Sequence, residues 1–287
     1  MTIAEGTQYT REQLHGIYRG QESIAMTDWL MEHLTGIRNA VRSSQSKKAL
    51  SPDQLGLLHQ YIGRLLKHEP LQYVLNESWF CGFRFYVDEN VLIPRPETEE
   101  LVEWIITDCR FPIAELSILD IGSGSGCIPI SLKRRLGKAN VTGCDKSPAA
   151  LGVARRNAES LGVQVGFSEL DFLSPQDRAV LPSCDIIVSN PPYIPEKDRE
   201  NMPVNVKDHE PAMALFVPSG DPLVFYKAIS AFGKEHLQKN GKIYVEINES
   251  LGKEVIALFE LLGYKTQLKQ DMQGKDRMVK AWLDDDE

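Results

Sequence analysis

At 287 residues the chain is long enough for one large domain or two modest ones, and 42% apolar with 25% charged residues is an ordinary globular balance that excludes a largely disordered protein. No stretch approaches the roughly 20 uninterrupted apolar residues of a membrane span, and the N-terminus MTIAEGTQYTREQ lacks the basic-then-apolar order of a signal peptide, so a cytoplasmic protein without membrane attachment is expected. The net charge of −8, from 32 basic and 40 acidic residues, disfavours a protein that grips a long stretch of nucleic acid through its phosphates.

In chain order, residues 10–75 have a helical pattern. Trp29, Leu30, His33, Leu34 and Ile37 recur at three-to-four spacing, and Ser51-Pro52-Asp53-Gln54 opens a second run through Leu55, Leu58, Ile62 and Leu65. Ser51 is the expected N-cap, with Pro52 at the first helical position and a linker over residues 42–48 before it. Residues 1–75 carry 8 basic and 7 acidic residues, so the acidity sits on the rest of the chain, 24 against 33. Between residues 73 and 94, aromatic and β-branched residues (Phe83, Phe85, Val87, Val91, Ile93) alternate with polar ones. They predict a hairpin broken at Asp88-Glu89-Asn90 and followed by a helix from near Glu97.

After Pro112, strands are predicted at 117–121, 140–144, 163–170, 185–189, 242–247, 265–270 and 277–283, with helices at 127–136, 148–161, 222–237 and 251–262 between them. Such alternation implies an α/β fold with a mostly parallel sheet covered by helices on both faces. The acidic close, residues 284–287, reads as a frayed end. The expected organisation is a small helical domain over 1–75, a β-hairpin linker over 76–96 and a Rossmann-like domain over 97–287.

The strongest local motif is Asp120-Ile121-Gly122-Ser123-Gly124-Ser125-Gly126, directly after a strand and before a helix. Alternate glycines let the backbone turn tightly and approach a ligand without Cβ interference. Taken alone, such a turn also serves dinucleotides. Two details favour S-adenosylmethionine: Asp120 suits a cationic amino-acid moiety better than a pyrophosphate, and the spacing is G-x-G-x-G. Asp145 closes the next strand, where a carboxylate can accept both ribose hydroxyls of an adenosine; its plainer reading is a helix cap, for which Ser147 before Pro148 is better suited. After the third strand, Asp171-Phe172 would bring a carboxylate to the adenine amino group and an aromatic beside its ring, with helix or turn capping as the alternative for Asp171. The five cysteines form no C-x-x-C pair and have no histidine at ligand spacing, so neither a disulfide framework nor a metal site is expected.

Asn190-Pro191-Pro192-Tyr193 follows the fourth strand, on the cofactor edge of the sheet. An amide or exocyclic amino nitrogen is a poor nucleophile because its lone pair is delocalised, so a catalyst gains by accepting both N–H hydrogens and aligning the nitrogen with the methyl group. The Asn190 side-chain oxygen and the Pro191 carbonyl can do this. The prolines stiffen the turn, and Tyr193 offers a flat stacking surface. The tetrapeptide alone suits adenine and a side-chain amide equally.

With these motifs the chain resembles the release-factor glutamine methyltransferases (PrmC/HemK), which methylate the glutamine side-chain amide in the Gly-Gly-Gln motif of peptide chain release factors. The resemblance is nearly chain-long. It rests on His68-Glu69-Pro70-Leu71-Gln72-Tyr73, Leu92-Ile93-Pro94-Arg95-Pro96-Glu97-Thr98, residues 120–126 and 190–193, His209-Glu210-Pro211-Ala212-Met213-Ala214-Leu215 and Asp271-Met272-Gln273-Gly274-Lys275-Asp276-Arg277-Met278. It implies a class I methyltransferase fold, a cofactor site lined by Gly122 to Gly126, Asp145 and Phe172, and an amide held by Asn190 to Tyr193, with Asn190 expected to border the cofactor as well. Arg95, Pro96, Glu210 and Pro211 would shape the substrate mouth, and the N-terminal helices would recognise the release factor beyond its glutamine loop. A monomer without stable nucleic-acid binding is expected. Asn76, Pro222 and Asn248 depart from the family's usual glycines, which bears on loop shape rather than on the reaction. A glutamine methyltransferase for a ribosomal protein and an N6-adenine DNA methyltransferase are the enzymatic alternatives. A vestigial binding module is the non-catalytic one, against which the intact Asp120, Asp145 and Asn190 argue.

Overall fold

The computed structural model describes residues 1–109 and 116–284, so three of the four terminal acidic residues lie outside the described residues. The chain divides into two units, Met1–Glu77 with Pro203–His209, and Ser78–Met202 with Glu210–Glu287.

In the first unit the helices are α1 (Ile3–His15), α2 (Gln21–Thr35), α3 (Asn39–Arg42), α4 (Pro52–Leu65) and α5 (Leu71–Leu75). α1 starts earlier than the predicted residue 10 because Thr2 and Glu5 form a capping box, each side chain satisfying the other's backbone N–H. Ser51 and Gln54 do the same for α4, whose Pro52 sits in the first turn as predicted. The expected linker at 42–48 is partly ordered. Arg42 closes α3, is 5% exposed and bonds both the carboxylate (3.0 Å) and the carbonyl (2.8 Å) of Asp28, and Ser43–Gln45 forms a 3-10 turn. Leu14, Leu30, Met31, Leu58 and Leu65 form the fully buried centre, each burial worth about 1.5–3 kcal/mol. Asn76 ends α5 in the left-handed region (φ 51°), which accounts for a family glycine at this position.

The second unit begins with a hairpin, β1 (Ser78–Phe80) and β2 (Phe83–Phe85), in register Phe80 to Phe83. Its turn is Cys81-Gly82, both at positive φ, rather than the predicted break at residues 88–90. A cysteine at positive φ carries no turn signal, whereas Asp88-Glu89-Asn90 carries one and indeed turns, with Val91 N donating to Asp88 O, but joins no strands. Next come α6 (Pro96–Asp108), β3 (Ser117–Ile121), α7 (Cys127–Leu136), β4 (Asn140–Asp145), α8 (Pro148–Ser160), β5 (Gly166–Glu169), α9 (Pro175–Arg178) and β6 (Cys184–Ser189). The chain continues with β7 (Ile194–Pro195), α10 (Val204–Lys207, in the first unit), α11 (Ala212–Leu215), β8 (Phe216–Val217), α12 (Val224–His236), β9 (Leu237–Glu246), α13 (Gly252–Leu261), β10 (Lys265–Gln270) and β11 (Asp276–Trp282).

Seven of these strands form one sheet in the order β10-β11-β9-β6-β3-β4-β5. β9, β6, β3, β4 and β5 are parallel; β11 and β10 close one edge antiparallel. Leu119, Ile187, Ile243, Val245 and Val279 face α12 and α13, while Ile118, Ile186, Val188, Tyr244 and Met278 face α6 and α7. Both faces are covered, so the strands read as continuous apolar runs. Of the predicted elements, 117–121, 127–136 and 265–270 match to the residue. Two strands differ by more than a residue at an end: the predicted 163–170 shrinks to β5 at the sheet edge, and β9 starts at Leu237, where it pairs with Cys184 before a register shift. The two-residue pair β7–β8, too short to show periodicity, was not predicted.

Candidate active site

Register aligns the functional strand ends. Ile121 pairs with Cys144 and Ser189, and Ser189 with Val245, while the Ser189 hydroxyl donates to Ile121 O at 2.7 Å. The glycine loop, Asp145, Asn190 and Glu246 therefore emerge on one edge, where strand order reverses between β3 and β6, the usual place for a ligand in an open parallel sheet. A cavity of about 300 Å³ opens there, lined among others by Gly122, Gly124, Asp145, Asp171, Phe172 and Asn190. A wider hollow of about 790 Å³ lies in the first unit beside α1. It includes Arg42, already paired with Asp28, and it gathers neither a glycine loop nor a strand end.

Gly122, Gly124 and Gly126 all have positive φ. A Cβ on Gly122 or Gly124 would meet nothing within 4 Å, leaving an open cradle, whereas on Gly126 it would reach Ile130 at 2.9 Å and Ala154 at 3.1 Å. The first two glycines thus leave room for a ligand and the third allows α7 and α8 to pack closely. Gly122 and Ser123 donate their N–H groups to Cys144 O, and Gly126 N donates to Ser123 O. Ser123 and Ser125 are buried. Asn157, 1% exposed, clamps this loop from α8: its Nδ2 donates to Ser125 O and Tyr86 O (both 2.9 Å), and its Oδ1 accepts from Tyr86 N (2.7 Å). Asp120 is fully buried with neither carboxylate oxygen hydrogen-bonded, and burial pushes its pKa up to about 7. An orphaned carboxylate beneath a glycine cradle is a site that a cationic ligand group would complete.

Asp145 accepts from Gly124 N through Oδ2 (2.8 Å) and from Ser147 N through Oδ1 (2.9 Å), so it braces the loop and keeps one lone pair per oxygen for a ligand hydroxyl. Ser147 is the cap of α8, accepting from Ala150 N. Asp171 is bonded to Lys146 Nζ (2.7 Å) and Leu173 N (3.0 Å), and the Lys146 bond holds its carboxyl below the ordinary value. Phe172 lines the cavity and packs edge-on against Phe232.

At the end of β6, Asn190 Nδ2 donates to Thr98 Oγ1 (3.0 Å), and the Thr98 hydroxyl donates to Glu246 Oε2 (2.6 Å). Tyr193 OH donates to Glu246 Oε1 (3.2 Å). Glu246 is 1% exposed, and burial pushes its carboxyl up to about 7. Burial also raises the Tyr193 phenol, so it stays protonated. Asn190 and Pro192 line the cavity; Pro191 and Tyr193 are not part of that lining, and Tyr193 packs against the core beside α12.

Arg95 caps the entry to α6, ahead of Pro96, and its guanidinium bonds Glu210 Oε1 at 2.6 Å. Glu210 Oε2 accepts from Ile93 N, and burial raises its carboxyl. Both Glu210 oxygens are thus engaged within the protein, and neither Arg95, Pro96 nor Glu210 lines the cavity, though Asn90, Val91, Leu92 and Pro211 do. Sequence reasoning did not single out the apolar wall from Leu92, Met213, Phe216 and Phe225, nor Asn157 as the clamp on the glycine loop, nor Thr98 and Glu246 as the pair behind Asn190. Leu92, Thr98 and Met213 stand in blocks already noted, but nothing local marks the others. Among the described residues no group of His, Cys, Asp or Glu could hold a metal ion, and no helix is long and apolar enough to cross a membrane.

Comparison with known proteins places this geometry. Residues 7–75 match the PrmC N-terminal domain and 99–207 the Methyltransferase small domain. A Release factor glutamine methyltransferase of Bacteroides thetaiotaomicron is 43% identical over 277 residues, 96% of this chain and 98% of that protein. One of Flavobacterium psychrophilum is 45% identical over 241 residues, 81% and 84% of the two chains. Among solved structures, the hMettl16 catalytic domain in complex with MAT2A 3'UTR hairpin 6 superposes with a TM-score of 0.54 at 16% identity, covering 82% of this chain and 84% of that one, which shows a shared fold. With near-complete coverage at such identity, the chain belongs to the release factor glutamine methyltransferase family and is an S-adenosylmethionine-dependent methyltransferase.

Proposed function

We propose that the enzyme transfers a methyl group from S-adenosylmethionine to the side-chain amide nitrogen, N5, of the glutamine in the Gly-Gly-Gln motif of peptide chain release factors. S-adenosylhomocysteine is the second product. The observation that carries this reading is the Asn190 side chain, tied through its nitrogen to Thr98 and lining the cavity beside the glycine cradle. The choice of acceptor is supported by relatives at 43–45% identity, which are named release factor glutamine methyltransferases.

When bound, the cofactor supplies an electrophilic methyl group on a sulfonium. Asp120 would pair with its cationic amino group, the loop Gly122, Ser123, Gly124, Ser125 and Gly126 would form its cradle, Asp145 would accept its ribose hydroxyls, and Asp171 with Phe172 would lie at its adenine. Asn190 Oδ1 and the Pro191 carbonyl accept the two N–H bonds of the substrate amide and hold its nitrogen in line. Pro192 stiffens the turn, and Tyr193, packed on the core with its hydroxyl on Glu246, anchors the end of the motif and does not stack on the amide as the sequence led one to expect. The amide nitrogen sheds a proton readily once methylated, so no strong base is needed beforehand. Glu210 serves by holding Arg95 and the Ile93 backbone, and Arg95 with Pro96 shapes the mouth through which the glutamine loop enters.

Residues 1–75 act as the substrate-recognition domain, 76–96 as a hairpin linker and 97–287 as the methyltransferase domain of a cytoplasmic monomer. Incubation with methyl-labelled cofactor and either a purified release factor or DNA tests the substrate. Label in the factor and none in DNA supports the reading; label in DNA alone overturns it.

A further inference from the structure

Thr98 and Glu246 lie 148 residues apart in the chain, yet their side chains meet behind Asn190. Thr98 is 2% and Glu246 1% exposed, so water does not compete for these bonds. A hydroxyl has one proton to give. With that proton donated to Glu246 Oε2, Thr98 can only accept from Asn190, which obliges the Asn190 amide to turn its NH2 toward Thr98 and its oxygen away. Tyr193 OH donates to the other Glu246 oxygen, so one buried carboxylate organises two residues of the Asn190–Tyr193 motif. Were Glu246 to bind a proton, Oε1 could carry it toward the Tyr193 oxygen and leave Oε2 accepting from Thr98, so the direction of the relay persists.

We propose that Thr98 and Glu246 are positioning residues that fix the Asn190 side-chain amide in the one orientation able to accept a hydrogen bond from the amide being methylated. This rests on the reading of Asn190 as the acceptor's partner. A flipped Asn190 would present N–H to N–H and repel the substrate group, and Thr98 with Glu246 excludes that rotamer without touching substrate or cofactor.

The test is a double-mutant cycle in the full-length enzyme with Thr98→Val, which keeps the shape and removes the hydroxyl, and Asn190→Ala. Thr98→Val should lower kcat on the order of 10- to 100-fold, the scale of a misplaced positioning group. Cofactor Kd should stay within about threefold of wild type, since no cofactor contact is altered. Thr98→Ser should restore most of the rate. In the Asn190→Ala background, Thr98→Val should cost nothing further. Glu246→Gln can still accept from Thr98 in one rotamer and should be mild, whereas Glu246→Leu should resemble Thr98→Val. A Thr98→Val enzyme with wild-type kcat, beside an inactive Asn190→Ala enzyme, overturns the positioning role and leaves the proposed function standing. An Asn190→Ala enzyme with full activity overturns the proposed function itself. If Thr98→Val fails to fold, Thr98→Ser and Glu246→Gln decide: loss of rate in both, with unchanged melting temperature, contradicts the relay.

Discussion

Ser123 and Gly143 fit so closely that a Cβ on Gly143 would lie 2.2 Å from the Ser123 hydroxyl and 3.2 Å from the Phe167 ring. Gly143 sits within β4, the strand paired with β3 beside the glycine loop, and its lack of a side chain lets that loop lie down on the sheet. Gly143→Ala should therefore push Ser123 and its neighbours outward. The expected cost is about 1–3 kcal/mol of stability from overpacking, read as a lower melting temperature, together with weaker cofactor binding. Unchanged melting and unchanged binding would show that Ser123 can swing aside.

Asn190→Ala should leave cofactor affinity near normal while kcat falls by roughly 10²-fold or more, the scale for losing a hydrogen bond that aligns a reacting group. Single-turnover kinetics alongside equilibrium cofactor binding separates the two. A parallel loss of affinity would move Asn190 from the acceptor to the cofactor.

Asp145→Ala should instead weaken cofactor binding by about 1–3 kcal/mol, as expected for a lost charge-assisted hydrogen bond. Part of that loss comes from freeing the N–H groups of Gly124 and Ser147, which Asp145 now holds. Asp145→Asn, which keeps an oxygen for one of them, should fall between. Wild-type affinity in both variants would reduce Asp145 to a turn residue.

Asp120 supplies a pH signature. Burial raises its folded-state pKa to about 7 from an ordinary 3.8, so in the ligand-free protein its contribution to stability is fully present below pH 3.8 and is lost as pH rises toward about 7. A cationic group beside Asp120 lowers that pKa again, so cofactor binding below about pH 7 should release a proton and weaken as pH falls. Calorimetry near pH 6 in buffers of different ionisation heat reads the proton count. Asp120→Asn should abolish the release; release that survives the substitution would assign it to another group.

Much of this site could be read from the sequence because its parts are local. Residues 120–126 announce a strand, a glycine turn and a helix within a few positions, and β3 and α7 fall where predicted. Counting strands puts Asn190 on the same sheet edge as the glycine loop, and the parallel register of the preceding Ser189 with Ile121 gives that position its physical basis. What escaped is what the chain closes over distance. Asn157 joins Tyr86 to Ser125, Thr98 meets Glu246 and Asn190, and the cavity wall draws on Leu92, Phe216 and Phe225. None of these has a spacing that could reveal it. The hairpin turn was misplaced for a different reason: Cys81 adopts positive φ where pattern reading expects Asn or Asp, and the Asp88-Glu89-Asn90 segment nearby looked more turn-like. Of the departures from glycine, Asn76 takes the positive φ that a glycine would supply, while Asn248 accepts from Ser250 N through its side chain.

The most direct test of the central claim is to find the methyl group. A purified release factor is incubated with the enzyme and S-adenosylmethionine, digested, and its peptides are sequenced by mass spectrometry, with Asn190→Ala as the control. A single added methyl on the side chain of the Gly-Gly-Gln glutamine, strongly reduced with the control enzyme, is the predicted result. A methyl group on another residue of the factor, or an unmodified factor from an enzyme that turns over its cofactor on a different acceptor, would contradict it.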